Sequence, residues 1–270
     1  MTYATFVLST GRCGTQWLAA RLGEAYGDVL HVEHEPLRDG YRPRQMLAAR
    51  GSLPRDADTA GRIRSHVDAI GQRLDTRGYV ECGHPCWSAI PYLASQFPGR
   101  VRVIHLTRHP VPTALSWLTH QAFSPPLLPH LSEKLLLSPF DEGVAFPEYR
   151  DLWMALTPFE RCLYYWAEVN AFGLDQRARL SVPWLEIRCE ALFGDDGLTD
   201  LLSFLELPPS ESMRSARDAT VDRFRYATLD WPDLALAEQH VSVVDVARRL
   251  AYDLRDVEPQ ALRRRYLRID

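Results

Sequence analysis

A chain of 270 residues, 46% of them hydrophobic, is long enough to bury a full core in one α/β domain. Its net charge of −4, with 31 basic against 35 acidic side chains and no basic tract, argues against nucleic acid as a partner. Five cysteines, an odd number, suit reduced thiols, and no apolar run nears the ~20 residues of a membrane span.

The first expected elements are a strand and helix over about Phe6 to Ala25, then a second strand near Val29–Glu33. Arg38 to Gly51 reads as loop plus a short helix. Ile63, Val67, Ile70 and Leu74 recur at helical spacing within Arg62 to Thr76. Gly78 to Cys82 is a third strand, Ser88–Gln96 a helix, and Val101 onward a strand that ends at Arg108. This βαβα alternation predicts a parallel sheet. Phe123 to Phe159 breaks the rhythm with six prolines among large apolar residues, and is expected to be an insert that covers a substrate site. Phe159 to Asp175 reads as a long helix, and Ala235 to Leu267 as helical and charged, suited to packing or to a dimer contact, so that monomer and homodimer both stay open. The whole of 1–270 is expected to be one domain.

The chemistry concentrates at strand-to-helix turns. Ser9-Thr10-Gly11-Arg12-Cys13-Gly14-Thr15-Gln16-Trp17 follows an apolar strand and opens a helix, so backbone N–H groups and the positive helix end face an anion such as phosphate. Gly11 and Gly14 admit close approach, Thr15 offers a hydroxyl and Arg12 a permanent cationic fork. The loop differs from the G-x-x-x-x-G-K-[ST] of nucleoside triphosphatases: the one lysine in the chain is Lys134. A second turn, Arg108-His109-Pro110, has Ser116 eight residues beyond the arginine, so the two can grip one phosphate from two sides. Cys82 and Cys86 flank His84 in a C-x-x-x-C, but a zinc site wants a second pair, and Cys162 and Cys189 lack paired spacing.

Taken together, these stretches resemble the sulfotransferases that use 3′-phosphoadenosine 5′-phosphosulfate (PAPS). Ser9 to Trp17 is similar to that family's 5′-phosphosulfate loop, with Cys13 in place of the usual serine, and Val103 to Trp117 to its 3′-phosphate motif. Leu185 to Leu192, then Leu201 to Pro208, echo a late strand ending R-Y-E-D-L and a helix ending F-L-G-L-P. The resemblance, closest to the bacterial branch, implies a three-layer α/β sandwich of the P-loop NTPase-like sulfotransferase fold. It also implies sulfuryl transfer from PAPS to a hydroxyl or amine without a required metal. Under it, Arg12 holds the bridging and sulfuryl oxygens, and Gly14, Thr15 and Gln16 wrap the 5′-phosphate. Trp17 lies against the adenine, and Arg108 with Ser116 binds the 3′-phosphate. The family's basic C-terminal loop has no clear match; Arg223 and Arg225 are the nearest substitutes. With no leader in Met1 to Leu8 and no anchor, the resemblance implies a cytoplasmic protein.

An acceptor hydroxyl needs a general base. Glu35, in His34-Glu35-Pro36, resembles the H-E-P stretch where bacterial members keep a glutamate base, and is slightly preferred. His84, in Gly83-His84-Pro85, resembles the histidine base of cytosolic members and titrates near neutrality unaided. Glu35 would need a raised pKa, which His34 beside it opposes. Trp87, Phe123, Tyr149 and Trp153 are candidate acceptor contacts, suited to an aromatic or a sugar face, so carbohydrate, lipid and small metabolite stay open. A P-loop small-molecule kinase and a non-catalytic nucleotide-binding protein of the same fold are the other readings.

Overall fold

The computed structural model describes residues 2–124, 135–215 and 231–267. Five strands form one all-parallel sheet in the order β2-β3-β1-β4-β5: β1 (Ala4–Leu8), β2 (Leu30–His34), β3 (Gly78–Cys82), β4 (Val101–Thr107) and β5 (Trp184–Arg188). Helices cover both faces, so β1 and β4 are buried at every position, the polar Thr5, Arg102, His105 and Thr107 included.

Alternate residues feed the two layers. Phe6, Leu8, Val101 and Val103 pack on one face with Trp87, Leu115 and Trp166. Val7, Ile104, Leu106 and Ile187 pack on the other with Leu18, Leu22, Leu198 and Leu201. The first face carries α2 (Pro43–Ala48), α3 (Ala57–Leu74), α4 (Ile90–Gln96), α5 (Pro110–Leu118) and α6 (Pro158–Arg179); the second carries α1 (Thr15–Tyr26) and α7 (Asp195–Phe204). Near the end of the chain come α8 (Val241–Arg249) and α9 (Pro259–Tyr266).

The expected alternation is present, with boundaries set by local chemistry. The Asp56 side chain accepts from Thr59 N, so α3 begins five residues before the apolar spacing suggests. Thr157 and Glu160 form a capping box that starts α6. The stretch after β3 first makes a 3-10 turn, His84–Ala89, because Pro85 and the buried Trp87 hold it against the sheet before α4 begins.

The described part of the proline-rich insert holds three of the aromatic residues expected to contact the acceptor, Phe123, Tyr149 and Trp153. Pro125, Pro126 and Pro129 lie outside the described residues. Around Tyr149 and Trp153 the insert packs along α6: Trp153 meets Phe123 at 5.6 Å and Tyr164 at 5.3 Å between ring centroids, and Tyr149 meets Tyr164 at 5.0 Å. Glu168 on α6 holds the segment by accepting from Ala145 N and Phe146 N, both at 2.8 Å. These rings bury apolar area, which outweighs any use as an exposed sugar platform.

Behind the sheet's C-terminal edge, Glu81 is buried on β3. It accepts from Tyr41 Oη at 3.0 Å and Tyr79 Oη at 3.1 Å and lies 2.9 Å from His66 Nε2, which ties α3 and the segment after β2 to the sheet. One residue past β3, Gly83 lets Glu35 come close: a Cβ there would lie 2.5 Å from Glu35 Cγ. Gly83→Ala is expected to lower unfolding free energy by about 2 kcal/mol in urea melts, since the contact is partly backbone and must shift. An unaltered midpoint would show that Glu35 is free to move aside.

Candidate active site

In a parallel sheet that changes direction at its middle strand, ligands sit beyond the C-terminal strand ends. Here β1 lies between β3 and β4, so the segments leaving those three strands meet. They line a cavity of about 1470 Å³.

The segment after β1 is the glycine-containing loop expected to face an anion. Gly11 (φ 73°) and Arg12 (φ 60°) are both left-handed, and a Cβ on Gly11 would stand 3.0 Å from His84 Cγ and from Trp117 Cζ2. Glycine therefore serves twice here, for the dihedral and for the close approach. Gly14 precedes α1, and no side chain caps that helix, which leaves its first-turn N–H groups for a ligand. Thr15, Gln16 and Trp17 also line the cavity. Cys13 does not: its thiol is buried behind the loop, 3.1 Å from Gly11 O and 3.3 Å from Thr10 Oγ1. Burial pushes that thiol up to about 11, so it stays protonated at neutral pH.

The segment after β4 grips the same loop. Arg108 Nη1 donates to Arg12 O at 2.8 Å, and Nη2 donates to Tyr266 Oη at 3.1 Å. Arg12 Nε in turn donates to Ser116 Oγ at 3.0 Å, across α5. Trp117 Nε1 donates to Thr10 O at 3.1 Å, and Trp166 Nε1 to Arg108 O at 2.8 Å. Arg12, Arg108 and Ser116, about a hundred residues apart in the chain, thus line one cavity together with Trp117. His109 caps α5 through Nδ1, which accepts from Val111 N; its Nε2 carries the proton and donates to Asp253 O at 2.9 Å.

Glu35 and His84, the two candidate bases, touch each other. His84 Nδ1 lies 3.1 Å from Glu35 Oε1, so the proton sits on Nδ1 and the ring is turned by the carboxylate. His84 Nε2 is buried and has no hydrogen-bond partner among the described residues. Burial would raise the Glu35 carboxyl, but the hydrogen bond and charge of His84, with His34 nearby, hold it down at about 2. This direction is opposite to the rise that a glutamate base needs. His34 Nε2 stands 3.8 Å from Glu35 Oε1 and 3.4 Å from Thr15 Oγ1.

Several cavity residues carried no signal in the sequence. Phe193 meets Trp17 edge-on at 4.9 Å, and both line the cavity. Arg188, Arg264, Arg265 and Tyr266 line the end near Arg108, the last three from α9. The sequence shows Arg263-Arg264-Arg265 only as part of the helical, charged stretch from Ala235 to Leu267. Arg223 and Arg225 lie outside the described residues. Among the candidate acceptor contacts, Trp87 is fully buried against Phe172 and, with Phe123, Tyr149 and Trp153, does not line the cavity. Leu135 is the one described residue of the insert that does. Among the described residues no three His, Cys, Asp or Glu side chains group as metal ligands, and the Cys86 thiol points at Gly83 O and Val7 O. No helix among the described residues is long and apolar enough to cross a membrane.

Solved structures give the fold its family likeness. The sulfotransferase domain from the curacin biosynthetic pathway superposes with a TM-score of 0.56 at 14% identity, covering 94% of this chain and 99% of that one. The sulfotransferase domain of the Synechococcus PCC 7002 olefin synthase gives 0.51 at 14%, covering 94% and 95%. A sulfotransferase from Alicyclobacillus acidocaldarius gives 0.50 at 19%, covering 97% and 99%. The chain has the sulfotransferase fold. No protein-family model and no curated protein matches its sequence.

The folded pKa of Glu35 lies below its ordinary 4.5, so the carboxylate stabilises the fold above that pH and loses this effect as pH falls towards 2. Glu35→Gln is expected to cost about 1–2 kcal/mol at pH 7. It should also flatten the acid limb of stability in urea titrations. An unchanged acid limb would mean that His84 does not hold this carboxylate.

Proposed function

We propose that this protein is a sulfotransferase that moves a sulfuryl group from PAPS to an acceptor hydroxyl or amine. The observation that carries the reading is the convergence of Arg12, Arg108 and Ser116 with the Glu35–His84 pair in one cavity. Two anion-binding turns suit a nucleotide with phosphate at two positions, and the third turn supplies a base.

The roles follow from the chemistry of each group. The loop N–H groups of Gly14, Thr15 and Gln16 at the start of α1 hold the 5′-phosphate. Arg108, already aimed by Arg12 O and Tyr266 Oη, holds the 3′-phosphate, with Arg264 and Arg265 on the same wall. Trp17 and Phe193 flank the adenine. Sulfuryl transfer passes through a loose, in-line displacement, so positioning and charge stabilisation do most of the work. Arg12 stabilises charge that grows on the leaving phosphate, and its bond to Ser116 sets the guanidinium plane. His84 Nε2 takes the acceptor proton; Glu35 accepts from Nδ1 and steadies the imidazolium that forms. Glu35 is a positioning residue in this account and His84 the base.

Titration calorimetry tests the donor. Adenosine 3′,5′-bisphosphate is expected to bind the wild type tightly, and roughly 100-fold more weakly to Arg108→Ala, the loss of two charge-assisted hydrogen bonds. Equal preference for Mg²⁺-ATP, indifferent to Arg108, would move the protein to the kinases. In turnover assays His84→Gln is expected to lower kcat by about 10²- to 10⁴-fold with bisphosphate affinity intact. Full activity in that variant would remove His84 from the base role.

A further inference from the structure

His34 stands between the two halves of the site and has no part in the roles above. Its Nε2 reaches Thr15 Oγ1 on α1 at 3.4 Å and lies 3.8 Å from the Glu35 oxygen that holds His84. Thr15 is the first residue of the helix that faces the donor phosphate. Resting on the donor reading above, we propose that His34 is a positioning residue that takes up a proton when the donor nucleotide binds and thereby couples the phosphate loop to the Glu35–His84 pair.

The hydroxyl of Thr15 has one hydrogen and cannot give it to His34 and to a phosphate oxygen at once. With Nε2–H donating to Thr15 Oγ1, the hydroxyl hydrogen is free for the phosphate. The bare Nδ1 then accepts a proton from bulk solvent, and the imidazolium lies between two anions, the arriving phosphate and the Glu35 carboxylate. The groups facing the ring are Glu35 from its own chain segment, His84 from the 3-10 turn and Thr15 from α1, while Cys82 is its register partner on β3. Before the nucleotide arrives, burial lowers the His34 pKa while Glu35 raises it, and the net direction is down. The ring therefore starts neutral and can gain charge. Its side chain is 31% exposed, enough for exchange with solvent and for substitution without loss of the core.

The test is calorimetric titration with adenosine 3′,5′-bisphosphate at pH 6 to 8, in buffers of different ionisation enthalpy. Wild type, His34→Gln, His34→Ala and His84→Gln are compared. Glutamine keeps a donor near the Nε2 position and cannot titrate. Wild type is expected to bind roughly 0.5 proton more than His34→Gln near neutral pH, and to tighten about 3- to 10-fold more on going from pH 8 to 6. His34→Gln should match wild type at pH 8, His34→Ala should be weaker throughout, and His84→Gln should keep the extra proton. A His34→Gln protein with the same proton count and pH profile as wild type, or loss of the extra proton in His84→Gln instead, overturns the role of His34 and leaves the donor reading standing. Absence of bisphosphate binding to the wild type overturns both.

Discussion

The pairing of β1 with β3 on one side and β4 on the other is the constraint on which the site depends. Parallel registers of Val7 with Cys82 and with Ile104 bring the ends of β1 and β3 side by side, with β4 running two residues further, to Thr107. Each end then delivers one kind of chemistry: an anion loop after β1, a histidine after β3, and an arginine after β4. None of these side chains is near another in sequence. Burial of β1 on both faces anchors the strands from which the three turns leave.

Within that frame, small side chains decide what can touch. A Cβ at Gly11 would run into His84 and Trp117, and one at Gly83 into Glu35. The glycines therefore let His84, Glu35 and the loop after β1 occupy one volume. The polar bonds then add orientation. Arg108 fixes the carbonyl of Arg12, Ser116 fixes its guanidinium, and Glu35 fixes the tautomer of His84. Such pre-set geometry is what a displacement driven by positioning requires.

Much of this was legible in the chain. The strand-turn-helix patterns at Phe6 to Leu18 and Val101 to Trp117 located the loop, Arg12, Arg108 and Ser116, because apolar runs and glycine turns are local signals. Glu35 and His84 were both found but set against each other, since their hydrogen bond depends on the β2–β3 pairing and no local pattern encodes it. The aromatic residues chosen for the acceptor went into the core: Trp87, Tyr149 and Trp153 gain more from burial than from exposure. The residues of α9 were missed for the opposite reason. Arg264 and Arg265 are a commonplace basic helix end until Tyr266 donates to Pro112 O and docks that helix at the cavity.

The most direct test of the central claim is turnover of PAPS itself, followed as release of adenosine 3′,5′-bisphosphate in the presence of simple alcohol and phenol acceptors. The site described here predicts acceptor-dependent release that falls by at least about 100-fold in Arg12→Ala and in His84→Gln. Release at the wild-type rate in both variants would contradict it, because the chemistry would then lie somewhere other than the meeting point of these three strand ends.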